Sequence, residues 1–432
     1  MKKFQLLLTI IIGVIFLFPG VPTAFAKGPP PDYYVDESKL PFDALPETDT
    51  QRFWGTHKGA GYRIEVPKDW NGELVLYCHG YRGDGLELTV SNPSIRSLLV
   101  SEGYAWAASS YSKNAYDVKA GVKDTHALAM RFNGLVGKPS RRYIIGHSMG
   151  GHITAVSIEQ YPNVYEGALP MCGVMGDNEL FDYFMDYHLV ALYLTGMDVE
   201  PPFPEDYTDV TVPAMQAILG QSDPSPVPYP YGLSSSGQQL KTALKYLSGG
   251  DRPIYDVGFV YYANFLFGQI MDPDNVENMD TFYHLDDDVD EISEEEATLN
   301  DEIYRGEALP KVRKPNGLAN VPAISGNISI PVISMHTLGD LFVPFVMQQI
   351  YAERVETQGK SDLLVQRAIR DAGHCGFTTS EQEEAFLDLV TWVEDSIRPA
   401  GDDVVDPDVV DEWDYGCTFT SEDRSYAVPC PL

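Results

Sequence analysis

Short apolar runs alternate with segments of helical spacing along two stretches of this chain, and a long region where the rhythm fails separates them. Residues 62–66 and 74–77 read as strands on either side of the turn-like Asp69-Trp70-Asn71-Gly72. Residues 94–101 read as a helix, 104–108 as a buried strand, and 118–132 carry apolar residues at helical spacing. A strand-like run at 142–145 precedes a helix-like start at Gly151, and 168–171 reads as a further strand. The rhythm stops near Gly173, returns as strands at 328–335 and 363–369, and ends in a helix at 381–397. Strands alternating with helices in this way predict an α/β fold, a mainly parallel sheet with helices on both faces.

The intervening region carries Pro201-Pro202, then Pro224, Pro226, Pro228 and Pro230, many aromatic residues and an acidic run over 286–296. We read 174–327 as an insertion, a helical cap or lid, because large insertions in such sheets often line the site. The competing reading is an independent second domain. Its aromatic residues, among them Phe181, Tyr183, Phe184, Tyr187, Tyr193, Tyr255, Tyr261, Tyr262, Phe265 and Phe267, can line a hydrophobic pocket, although most are expected to form the insertion's own core. Asp286, Asp288 and Asp290 suggest calcium by composition, but Glu291 stands where a calcium loop needs glycine, so a solvated acidic face is expected.

The ends add a compartment. Lys2 and Lys3, an apolar stretch from Leu6 to Phe18 and the small-residue signal Ala24-Phe25-Ala26 predict a cleaved secretory leader over 1–26. A Pro-rich, acidic, extended lead-in is expected over 27–50, a first core segment over 51–173, a second over 328–398 and an acidic C-terminal tail over 399–432. The formal charge of -33 becomes two units more negative without Lys2 and Lys3. Such a surface excludes nucleic acid and anionic membrane as partners. The expected protein is soluble and exported. Export permits disulfides among Cys78, Cys172, Cys375, Cys417 and Cys430, the odd count leaves at least one thiol over, and Cys417 and Cys430 bracket a short tail that suits a pair. No C-x-x-C occurs, so a zinc site of cysteine type is not expected; the chemistry read below implies no cofactor and no metal.

Gly146-His147-Ser148-Met149-Gly150 lies between the strand at 142–145 and the helix start at Gly151. That context makes a G-x-S-x-G pattern a nucleophile elbow: glycines allow a sharp turn that lifts a serine hydroxyl over a helix N-terminus. A serine hydroxyl needs a base, usually a histidine oriented by a carboxylate. Asp340 follows the strand at 328–335, and His374 lies on the loop after 363–369, which gives the order Ser, Asp, His. Asp371 is a rival acid but sits too near His374 in sequence to orient it independently. His147 and His152 are rival bases tied to the elbow itself, and His336 is expected to pack at a strand end. Two backbone N–H donors should hold an oxyanion: Met149, just after the serine, and Tyr81, in the loop Cys78-His79-Gly80-Tyr81-Arg82-Gly83 after the strand at 74–77.

Cys78-His79-Gly80-Tyr81, Gly146-His147-Ser148-Met149-Gly150-Gly151, Asp340-Leu341-Phe342-Val343-Pro344 and Gly373-His374-Cys375-Gly376-Phe377, in this order, resemble the α/β-hydrolase superfamily over roughly 60–172 and 328–398. The likeness is greatest to exported bacterial serine esterases and prolyl-oligopeptidase-like hydrolases. It implies Ser148 as nucleophile, His374 as base and Asp340 as its partner. Cys375 directly follows His374, as in tannase and feruloyl esterase relatives, where a disulfide joins the neighbours of nucleophile and base; here His147, not cysteine, precedes Ser148. Cys375 is instead expected to pair with Cys172, the alternative being two small buried residues. The expected activity is hydrolysis of carboxylic esters through an acyl-enzyme. A peptidase or acyltransferase would use the same residues, and a non-catalytic binding protein on the same scaffold is the reading from a different class.

Overall fold

A computed structural model describes residues 31–222, 231–313 and 320–431. The predicted leader and the prolines at 224, 226, 228 and 230 lie outside the described residues.

Eight strands form one sheet: β1 (Thr50–His57), β2 (Ala60–Pro67), β3 (Leu74–Cys78), β4 (Ala105–Ser109), β5 (Arg142–His147), β6 (Gly167–Met171), β7 (Val332–Thr337) and β8 (Leu364–Ile369). They lie in the order β1-β2-β4-β3-β5-β6-β7-β8. β2 is antiparallel to both of its neighbours, and every other pairing is parallel. The central strands read as continuous apolar runs because both faces are covered. In β5, Ile144 joins one core layer with Leu76 and Ile153, while Tyr143 and Ile145 join the opposite layer with Trp106, Leu169 and Phe386.

The helices follow from the same periodicity. α1 (Arg96–Ser101) leads into β4, and α2 (Val118–Leu135) begins where the Asp117 carboxylate accepts the Ala120 N–H. α3 (Met149–Gln160) is buried all round from Met149 to Ile158, as its place against the sheet centre requires. The region after β6 folds into α4 (Glu179–Thr195), α5 (Val212–Leu219), α6 (Ser235–Leu247), α7 (Tyr255–Leu266) and α8 (Glu294–Glu302). Tyr183, Tyr187, Phe259 and Phe267 fill the core of these helices. α9 (Val346–Thr357) and α10 (Thr379–Asp395) complete the two layers, and a Thr378–Glu381 capping box starts α10.

Two strands differ from the sequence reading for local reasons, and both end segments are packed. β1 is an edge strand with no buried residue, so Thr50–His57 carries no continuous apolar run. β7 starts at Val332 and not at 328, because Pro331 has no N–H for the ladder and Gly326 turns the chain with φ +77°. The acidic C-terminal segment is packed. Val404, Val410 and Tyr415 join Leu338, Phe345 and Ala368 in a small core, and Arg367 lies 4.2 Å from the centre of the Phe419 ring. The lead-in is likewise anchored: Leu40 is buried and its carbonyl accepts from Arg63.

Candidate active site

An eight-stranded sheet in this order, with only β2 running against the rest, is the fold of the α/β-hydrolase superfamily, and the chain is built on it. Its candidate chemistry stands at the carboxyl ends of β5, β7 and β8.

Ser148 occupies the turn from β5 into α3 with φ 57° and ψ -124°, a conformation that L-residues rarely adopt. The glycines around it are there for space. A Cβ on Gly146 would lie 2.2 Å from the Gly150 carbonyl oxygen, and one on Gly150 would lie 2.1 Å from that of Cys78. The elbow is therefore wedged against the end of β3. The Ser148 N–H donates to the Met171 carbonyl at the end of β6, which fixes the turn from the other side.

The structure brings Ser148, Asp340 and His374 together. His374 Nε2 lies 2.9 Å from Ser148 Oγ, and His374 Nδ1 lies 2.6 Å from Asp340 Oδ2. Asp340 is fully buried, and its other oxygen accepts the Phe342 and Val343 N–H groups at 3.0 and 3.1 Å. These bonds hold the carboxylate edge toward the imidazole. His336 Nε2 is 3.9 Å from Asp340 but only 2.8 Å from the Val343 carbonyl, to which it donates, so it leaves the carboxylate to His374. Cys172 and Cys375 form a disulfide beside His374, and Cys417 and Cys430 form a second; Cys78 is a buried thiol whose pKa burial pushes up to about 11. Cys172, His374 and Cys375 are near enough to hold an ion, but both sulfurs are committed to the disulfide.

Gly80 lies against the nucleophile: a Cβ there would come within 3.1 Å of Ser148 Cβ. His79 Nδ1 donates to the Gly80 carbonyl at 2.7 Å, and its ring stacks on Tyr111 at 4.1 Å. Burial holds the His79 imidazole down to about 3, so it is neutral. The carbonyl it holds shares a peptide plane with the Tyr81 N–H, and N–H and C=O of a trans peptide point in opposite directions. The Tyr81 ring is partly buried, and its hydroxyl donates to Asp84 at 3.1 Å. Met149 is the first residue of α3.

The rival groups are engaged elsewhere. The Asp371 carboxylate accepts from Arg424 and the Gly373 N–H, both at 2.6 Å. His147 Nε2 meets Gln382 at 3.1 Å, and burial lowers its pKa to about 4. His152 lies between the Tyr116 hydroxyl and the Pro322 carbonyl. Asp286 accepts the Asp288 N–H at the surface.

Three contributors escaped the sequence reading. The Tyr262 hydroxyl, from α7, accepts the backbone N–H of His374 at 2.6 Å. Arg252 is buried and donates to the Leu338 carbonyl beside the Asp340 turn; burial lowers its pKa to about 10, against the pull of Tyr255, Tyr183, Asp251 and Asp340. Arg424 bridges Asp371, Glu381 and the Gly376 carbonyl across the His374 loop. The run of tyrosines in 174–327 is the one trace of these roles in the sequence.

No protein-family model matches the chain. The o-phthalyl amidase of Xanthobacter agilis is 21% identical over 401 residues, 77% of this chain and 86% of that protein. Among solved structures, an esterase from Aspergillus oryzae is similar with TM-score 0.49 and 16% identity, covering 81% of each chain. Feruloyl esterase B from the same organism has TM-score 0.49 and 12% identity, covering 85% of this chain and 86% of that one.

Proposed function

We propose that this protein is an exported serine hydrolase that cleaves carboxylic esters through an acyl-enzyme. His374 Nε2 takes the Ser148 proton as Oγ attacks the carbonyl carbon, and then gives it to the leaving oxygen. Asp340 holds the imidazole in the tautomer that presents Nε2 and stabilises its charged form. The N–H groups of Met149 and Tyr81 receive the oxyanion, and His79 orients the Gly80–Tyr81 peptide for that task. Water activated by His374 then releases the acid. Residues 174–327 serve as a lid over this site, and residues 1–26 as its export leader.

The observation that carries the reading is the continuous relay of 2.9 Å and 2.6 Å contacts from Ser148 through His374 to Asp340. Its test is hydrolysis of a p-nitrophenyl ester series by the mature protein beside Ser148→Ala. Turnover that disappears in the variant supports the reading, and turnover that survives refutes the nucleophile. Amide cleavage is the second reading, favoured by the 21% identity to an amidase. An amide and peptide panel run in parallel separates the two, and acyl transfer to added alcohol reveals an acyltransferase.

A further inference from the structure

The group that takes the proton from the nucleophile must pass it to the leaving oxygen, so it lies within hydrogen-bond reach of that atom. A ring packed against the imidazole is therefore a neighbour of the leaving group's site. One aromatic ring touches the His374 ring, and two more extend from it. Phe342 packs edge to face against it, with centroids 5.2 Å apart and planes at 80°. Phe265 stands nearly perpendicular to Phe342 at 5.0 Å, and Tyr262 lies 6.2 Å from Phe265. The three rings come from two different elements, α7 and the loop after β7.

Their exposure distinguishes them from ordinary core. Tyr183, Tyr187, Phe259 and Phe267 are buried and already fill the interior of the α4–α8 region. Phe184 is buried too, and stacks behind Phe342 at 5.9 Å and 17°, which holds that ring in place. Tyr262, Phe265 and Phe342 remain partly exposed. Tyr262 is further fixed by its hydrogen bond from the His374 N–H. Perpendicular and offset ring pairs are the favoured aromatic arrangements, so a set of rings fixed at right angles can receive one more flat ring.

We propose that Tyr262, Phe265 and Phe342 form a subsite for an aromatic leaving group, so that the preferred substrates are esters of phenols. This rests on the serine-hydrolase reading above. In the step it concerns, the Ser148 Oγ–acyl bond forms and the acyl–aryloxy bond breaks, while the proton moves from Ser148 through His374 to the phenolate oxygen. Water then takes the acyl group and restores Ser148.

The test compares kcat/KM for a phenyl ester and a fluoroalkyl ester of one small acid, with leaving groups matched in acidity. Wild type and Phe265→Leu are assayed together, and Ser148 is titrated separately with a fluorophosphonate. The wild type should prefer the phenyl ester, and Phe265→Leu should cut that preference about 2- to 12-fold, the worth of one aromatic pair. Free phenol should inhibit the wild type competitively, and cyclohexanol should not. Equal kcat/KM for the two esters, or a preference unchanged in Phe265→Leu, overturns the subsite. So does a preference that follows a benzoyl-for-acetyl exchange in the acid, which would make the wall an acyl pocket. If Phe265→Leu does not fold, the phenol and cyclohexanol comparison on the wild type decides. A Ser148 that is labelled without any aryl preference refutes the subsite alone; no labelling and no turnover refutes the serine-hydrolase reading itself.

Discussion

The backbone N–H of His374 donates to the hydroxyl of Tyr262 at 2.6 Å, across 112 residues of sequence. The loop that carries the candidate base is thus fastened to a helix of the intervening region as well as to the sheet. One hydrogen bond of this kind is worth about 1 kcal/mol, so Tyr262→Phe is expected to lower kcat roughly fivefold. Because the substitution removes the bond to His374 and keeps the ring of the proposed subsite, KM should hold while kcat falls. Steady-state kinetics on one ester, with thermal melting to verify the fold, gives the answer. An unchanged kcat would remove Tyr262 from the positioning role.

The Cys172–Cys375 disulfide closes a loop of 203 residues and ends at the neighbour of His374. In the chain-entropy account a loop of that size stabilises by about 5 kcal/mol. A Cys172→Ala/Cys375→Ala double variant should therefore melt well below the wild type. Dithiothreitol should lower the melting temperature of the wild type far more than that of the double variant, in which only Cys417–Cys430 is left to reduce. Equal melting of wild type and variant under oxidising conditions would show that the bridge contributes nothing.

What could be read from the sequence, and what could not, divides along physical lines. β2 to β8 were legible because strands buried on both faces are mostly apolar, and this holds even for β8 at the far edge, whereas no residue of β1 is buried. Ser148 was legible because the elbow needs glycines at 146 and 150, where any Cβ would collide with backbone. Asp340 and His374 were legible from their place just after strands. Arg252, Arg424 and the hydrogen bond of Tyr262 to the His374 loop were not, because nothing local marks those partners. Their partners are loop backbone and carboxylates that only the folded region after β6 and the packed C-terminal segment bring near.

Arg424 makes the C-terminal segment part of the site's support. Its guanidinium joins Asp371 at 2.6 Å and Glu381 at 3.1 Å, and both carboxylates are largely buried. Removing the cation leaves two largely buried carboxylates without a counter-charge, a loss of about 3 to 5 kcal/mol. Arg424→Met is expected to show that loss in urea unfolding. Arg424→Lys should recover only part of it, because a single ammonium cannot reproduce the fork that spans two carboxylates. Full recovery by lysine would show that charge alone matters here.

Asp186 predicts a pH dependence of stability that is independent of the candidate active site. It is buried in α4, accepts the Tyr283 hydroxyl at 2.6 Å, and has Asp182 and Glu179 as acidic neighbours with Arg305 as the nearby cation. Burial pushes its pKa up to about 8, which the Tyr283 hydrogen bond opposes and the Asp182 charge reinforces. The unfolded chain releases this proton near about pH 3.9, so between there and about 8 the native state binds more protons than the unfolded one. Stability from this group is complete below the lower value and is lost as pH rises through the upper one. The slope is at most about 1.4 kcal/mol per pH unit for one group. Melting temperatures between pH 5 and 8 should accordingly fall as pH rises, and fall less steeply in Asp186→Asn, which cannot ionise but can still accept from Tyr283. Asp182, pushed up to about 7 by burial against the pull of Arg313, should leave a residual slope in that variant. A slope identical in wild type and Asp186→Asn would mean that Asp186 stays ionised in the fold, with the Tyr283 hydroxyl and the Arg305 charge outweighing burial.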